Sequence, residues 1–253
     1  MTLSGEMIPH LCDPSAQILL AIETAGSRCS AAVARSDVVL AAESLALRHG
    51  HAEALLPMIE RVMAEAGLHP SQLDAVAAAI GPGGFTGIRV GLAAARGIAL
   101  AVGARLVGVT GFAAVAAGVT AIDGTRCEAL LVALDSRRDD LYVQLFAADG
   151  AAALAAPEAL LADGLADYVA RLAGNTKLLV AGDAAEIAAA ALGRHAEIAV
   201  AIGSAPDARG VIAAARQQPG NAADPVRPLY LRPPDVTLPK RRRGTATSSA
   251  AAS

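Results

Sequence analysis

The chain has 253 residues, of which 54% are hydrophobic, 18% charged and only 2% aromatic, with no Trp and a formal net charge of −3. That length suits one large domain or two small ones, and the composition excludes a disordered chain, a collagen and a disulfide-stapled scaffold. Much of the hydrophobic count is Ala, which adds little area when buried, so the core has to come from Leu, Val and Ile.

Residues 1–17 hold Glu6, His10, Asp13 and Pro14 and lack a basic start and an apolar run, so they read as a disordered extension and not as a signal peptide. Three extended segments follow, Ile18 to Glu23, Cys29 to Arg35 and Val38 to Leu47, separated by turn residues. Leu55, Ile59, Val62 and Met63 then fall at helical spacing up to Gly67, with Pro57 expected to kink or restart the helix. Ala75 to Ile80 is a compact apolar strand, followed by a glycine-rich loop and a helix that Thr86 can cap. Leu106 to Ile122 carries no charge but is shorter than the roughly 20 residues of a spanning helix. Glycines and threonines dilute it, so a strand to Val109 and a helix capped by Thr110 are expected, without membrane contact.

A second pass begins at Ala129. Two strands, Ala129 to Asp135 and Leu141 to Ala147, flank a polar turn. A helix entered at Pro157, a strand Lys177 to Ala181, a helix from Asp183, a strand Glu197 to Ile202 and a helix entered near Pro206 follow. A β-meander, then helix, strand, helix, strand, occurs twice, which implies two related α/β units with mixed sheets flanked by helices. The stretch from Gln217 is rich in Pro, and from Lys240 in Ser, Thr and Ala, so it is expected to be extended and then disordered. Cys12, Cys29 and Cys127 form neither a CxxC pair nor a metal spacing and read as reduced thiols, which suits the cytoplasm.

Gly81-Pro82-Gly83-Gly84-Phe85-Thr86-Gly87-Ile88-Arg89 is the most informative stretch. Its glycines let the backbone turn sharply at a helix N-terminus, as a phosphate cradle would. The Walker pattern needs Lys-Ser or Lys-Thr where Ile88-Arg89 stands, and the dinucleotide fingerprint needs Gly at Thr86, so a tight turn with close helix packing is the stronger reading. Glu23 and Asp135 end equivalent strands in the two units; they either face one cleft, where they could hold a hydrated Mg²⁺, or cap their own turns. His49, His51 and Glu53 are one local cluster and are not read as a metal site, and no nucleophile motif is present.

The runs Ile18 to Ser30, His51 to Ile59, Gly81 to Gly91 (GPGGFTGIRVG), Asp135 to Tyr142 (DSRRDDLY) and Pro228 to Arg232 together resemble the TsaB (YeaZ) family of bacterial tRNA threonylcarbamoyladenosine synthesis, over residues 18–236. The resemblance implies an actin-like, Hsp70-like ATPase fold of two ribonuclease-H-like units, at 18–108 and 109–236, with a disordered basic tail at 237–253. It implies a non-catalytic subunit that dimerises alone, pairs with a TsaD-like transferase, works with a TsaE-like ATPase and reaches tRNA through the complex. ATP and metal would belong to those partners. The degenerate cleft positions would be Glu23, Thr24, Asp135, Arg137 and Gly182, beside a loop of Gly81, Gly83, Gly84, Thr86, Gly87 and Arg89.

Where the family has Asp, Ser and Ala-Arg-Met, this chain has Glu23, Gly84 and Ser136-Arg137-Arg138. Active ATPases of the wider superfamily have glycines after both carboxylates; Thr24-Ala25 and Arg137-Arg138 stand there instead. The rivals are an autonomous ATPase or phosphotransferase of the same fold and, as the weakest, a glycopeptidase. The partner surface is expected on the first long helix, where Leu55, Leu56, Met58, Ile59, Val62 and Met63 offer more apolar surface than one sheet contact covers, together with the helix after Thr86. Lys240 to Arg243 is read either as solvated tail or as a weak contact to tRNA phosphates.

Overall fold

A computed structural model describes residues 17–47, 49–120, 127–193, 197–201, 203–217 and 226–232. The extension before Gln17, Cys12, and the basic run at 240–243 lie outside the described residues. The first half contributes β1 (Ile18–Glu23), β2 (Arg28–Arg35), β3 (Val38–Ala46), α1 (His51–Glu65), β4 (Ala75–Ala79), α2 (Phe85–Val102) and β5 (Arg105–Val109). The second contributes α3 (Gly111–Thr120), β6 (Ala129–Asp135), β7 (Asp140–Ala147), β8 (Glu158–Leu161), α4 (Leu165–Ala173), β9 (Lys177–Ala181), α5 (Ala185–Leu192), β10 (Glu197–Val200) and α6 (Ala208–Gln217).

The described strands form two five-stranded sheets, ordered β3-β2-β1-β4-β5 and β8-β7-β6-β9-β10. In each, the first three strands in sequence run as an antiparallel meander and the last two are parallel to the central one. The two units therefore repeat one ribonuclease-H-like topology. Every residue of β1 and β4 is buried, as strands covered by helices on both faces require. On β6 the faces separate with period two. Leu131 and Ala133 join the core shared with α4 and α5, while Leu130, Val132 and Leu134 pack with Phe112 and Val115 of α3.

The helices α3 and α6 lie between the sheets. α6 follows the second unit in sequence, yet its Val211, Ile212 and Ala215 pack into the first unit's core. The close approach needs Gly210, because a Cβ there would sit 2.4 Å from the Ala114 carbonyl oxygen of α3. Asp207 holds the start of α6, accepting the Gly210 N–H at 2.9 Å, and the Ala208 N–H donates to Ser30 Oγ at 3.0 Å.

Three local expectations need correction. Pro157 leads into the strand β8, not a helix; Glu158 to Leu161 pair with the free side of β7, a tertiary partner that local pattern does not reveal. Pro57 does not interrupt α1, which runs continuously from His51 to Glu65. The ring is exposed, and the missing N–H costs the helix a single bond. Thr86 is inside α2 and the N-cap is Gly84, in extended backbone without a side-chain cap. Thr110 does cap α3, its Oγ1 accepting the Ala113 N–H at 3.0 Å.

Candidate functional site

The C-terminal ends of β1 and β6, the central strands of the two sheets, carry Glu23 and Asp135 at equivalent positions. Glu23, the last residue of β1, is fully buried. Its Oε1 accepts the N–H groups of Ala25 (2.7 Å) and Gly26 (2.8 Å), so the side chain folds back onto its own turn. Oε2 is buried without a hydrogen-bond partner. Burial raises the Glu23 pKa to about 7, against the lowering effect of the two amides, and Asp183 and Asp207 add to the rise. Asp135 does the equivalent on the second unit, its Oδ1 accepting the Arg137 N–H at 2.6 Å. Both carboxylates thus cap turns.

The glycine-rich loop packs backbone to backbone on the β1 turn. The Gly84 N–H donates to the Ala25 carbonyl at 2.8 Å, and Thr24 Oγ1 donates to the Gly87 carbonyl at 2.8 Å. A Cβ on Gly83 would lie 2.2 Å from the Ala25 oxygen, and one on Gly87 would lie 2.0 Å from the Thr24 oxygen. The glycines therefore serve close packing of the loop on the Thr24-Ala25 turn. Arg89 does not face this packing: its guanidinium stands 3.6 Å over the Phe85 ring.

Across the gap, Arg137 adopts φ 61 and sends its guanidinium to the first unit, where Nη2 donates to the Gly26 carbonyl at 2.8 Å. Beside it is a cavity of about 480 Å³ lined by Thr24, Gly26, His51, Gly84, Phe85 and Arg137 among others. Burial and then the Arg137 charge lower the His51 pKa, which favours the neutral imidazole. Gly182 is a packing residue like Gly83, since a Cβ there would meet the Ala133 carbonyl at 1.9 Å. Its neighbour Asp183 is a site residue that the sequence reading does not single out: Oδ1 accepts the Asp135 N–H at 2.9 Å, and burial raises its pKa. Its position directly after Gly182 at the end of β9 is the available signal. These residues do not fit a Mg²⁺–phosphate group. One oxygen of each carboxylate is committed to turn amides, and a guanidinium spans the space between the strand ends.

The expected partner stripe is also corrected. Leu55, Met58, Ile59, Val62 and Met63 are buried in the first unit's own core, leaving Leu56 exposed. Their spacing of i, i+3, i+4, i+7 and i+8 describes one apolar face, and the sheet covers it. On α2 the exposed large apolar residues are Phe85 and Leu100, the latter 86% exposed.

The model of the TsaD family, described as tRNA N6-adenosine threonylcarbamoyltransferase, matches residues 44–175, just over half of the chain. The chain is 34% identical over 124 residues to a TsaB of Haemophilus influenzae and 34% identical over 125 residues to that of Escherichia coli, both called tRNA threonylcarbamoyladenosine biosynthesis protein TsaB. Each alignment takes in 49% of this chain, which spans about half the length of these curated relatives, 51% and 52%. A Pseudomonas aeruginosa structure, of an uncharacterized protein with similarity to the peptidase YEAZ, superposes with a TM-score of 0.69 at 25% identity. That superposition covers 85% of this chain and all of the other. The chain belongs to the family of the TsaD model and is similar, within its matches, to the TsaB (YeaZ) proteins.

Proposed function

We propose that this chain is a non-catalytic subunit in the synthesis of threonylcarbamoyladenosine on tRNA, supporting a TsaD-like transferase. The observation that carries this reading is the bridge across the cleft. Arg137 bridges to Gly26 between two carboxylates that each cap their own turn with one oxygen. In active relatives of the superfamily that space would take phosphate oxygens and a metal. In this reading the chain holds neither, and ATP and metal belong to its partners, a TsaD-like transferase and a TsaE-like ATPase. Alone it pairs with a second copy, it works in the cytoplasm, and it meets tRNA only through the complex. The partner surface is the outer face of α1 and α2, around Leu56 and Leu100.

The test is ATP hydrolysis by the purified chain. The reading expects no turnover and no modified nucleoside from the chain by itself. A rate of about 1 per second or more, surviving repurification and abolished by Glu23→Ala, would replace it with an autonomous ATPase or phosphotransferase.

A further inference from the structure

Residues 226–232 cross from one unit to the other. On the first unit the Leu229 N–H donates to the Ile80 carbonyl at 2.7 Å, and Arg96 Nη2 donates to the Val226 carbonyl at 2.6 Å. The Tyr230 ring lies 5.3 Å from that of Phe85, and its hydroxyl accepts from Arg89 Nε at 3.3 Å. On the second unit Leu231 joins the apolar cluster of α3, β6 and β7. Arg232 Nη2 stands 2.5 Å from Asp140 Oδ2, and the Asp140 side chain is only 3% exposed.

The other side of that ion pair is the β6–β7 turn. Ser136 Oγ lies 2.6 Å from the Asp140 carbonyl oxygen and 2.9 Å from its Oδ1, so its proton ties the two ends of the turn together. The next residue is Arg137. Its left-handed backbone is a setting that a residue with a side chain keeps only when its surroundings hold it there. We propose that residues 226–232 are a strap whose Arg232–Asp140 buckle, acting through Ser136, holds this turn in the setting that keeps Arg137 across the cleft. Arg232 is then a positioning residue for Arg137, 95 positions away in sequence. The inference deepens the reading of the bridged cleft, and it is tested without nucleotide, partner or tRNA, so its failure is distinct from failure of that reading.

Amide hydrogen exchange on the full chain reads it directly, as the protection of residues 136–139 and of Ala25-Gly26 relative to β1 and β6 in the same molecule. Arg232→Met and Ser136→Ala should each lower the protection of the turn at least tenfold more than that of the strands, and Arg232→Lys should restore most of it. Turn protection that is unchanged, that falls by the same factor as the strands, or that Arg232→Lys damages as much as Arg232→Met, overturns the proposal. If Arg232→Met gives no folded chain, the same ratio in Ser136→Ala decides.

Discussion

Replacing Glu23 by Gln removes one titration from the most buried carboxylate and leaves its shape nearly unchanged. In the folded chain Glu23 has a pKa of about 7, raised chiefly by burial from an ordinary value of 4.5, which it regains on unfolding. The folded state therefore holds the proton more tightly. Its contribution to stability is fully present below pH 4.5 and is lost as the pH rises through 7. A displacement of two to three pH units corresponds to about 3 kcal/mol between pH 4.5 and 8, or roughly 6–12 °C in Tm for a chain of this size. In the Glu23→Gln variant the amide oxygen still accepts from the Ala25 and Gly26 N–H groups, while an unpartnered NH₂ stands at the Oε2 position, a cost independent of pH. Thermal melts of both proteins from pH 4.5 to 8 isolate the titration, because only the difference in slope matters. The wild-type Tm should fall with pH by several degrees more than that of Glu23→Gln. Parallel curves would refute the burial argument.

Gly87→Ala should destabilise by about 1–3 kcal/mol or more, since its Cβ would be driven into the Thr24 carbonyl. Gly97→Ala, on the exposed face of α2 with open space around the added carbon, should stabilise by roughly 0.5–1 kcal/mol; paired urea titrations read both. Leu56→Glu or Leu100→Glu should weaken binding to a TsaD-like partner at least tenfold with little change in Tm, because burial of one Leu contributes about 1.5–3 kcal/mol. Met58→Glu should instead lose folded protein altogether, since that side chain is fully buried; calorimetry alongside a binding isotherm separates the two classes. Removing residues 240–253 should reduce the log–log salt slope of tRNA binding by the complex by up to about 3 to 4 if Lys240 to Arg243 meet phosphates, and an unchanged slope would leave the run as solvated surface.

The twofold element order was legible because buried strands such as Ile18–Glu23 and helices such as Phe85–Val102 each carry a long, unmixed pattern. Glu158–Leu161 was not legible, because a four-residue edge strand is fixed by its pairing with β7 and not by its own sequence. At the site, the glycine pattern told that backbones approach closely, but not what approaches. Only the fold puts the Thr24 and Ala25 carbonyls there. Arg137 could be suspected from its place after Asp135, whereas the Asp140–Arg232 pair joins residues 92 positions apart and has no local signal. The interface residues failed for a simpler reason: five apolar positions on one helical face say that the face is covered, and the first unit's own sheet is the nearest cover.

In the proposed function the chain supports a transferase without doing chemistry in its own cleft. Reconstitution of threonylcarbamoyladenosine formation tests this: tRNA, the threonylcarbamoyl adenylate as donor, and the TsaD-like transferase and TsaE-like ATPase of the same cell are combined, and the modified nucleoside is quantified with this chain absent, present, or carrying Asp135→Asn. Product is expected only when the chain is present, and undiminished product with Asp135→Asn, whose side-chain oxygen can still accept the Arg137 N–H. Full product without the chain, or product lost with Asp135→Asn while the variant stays folded and bound to its partner, would contradict it.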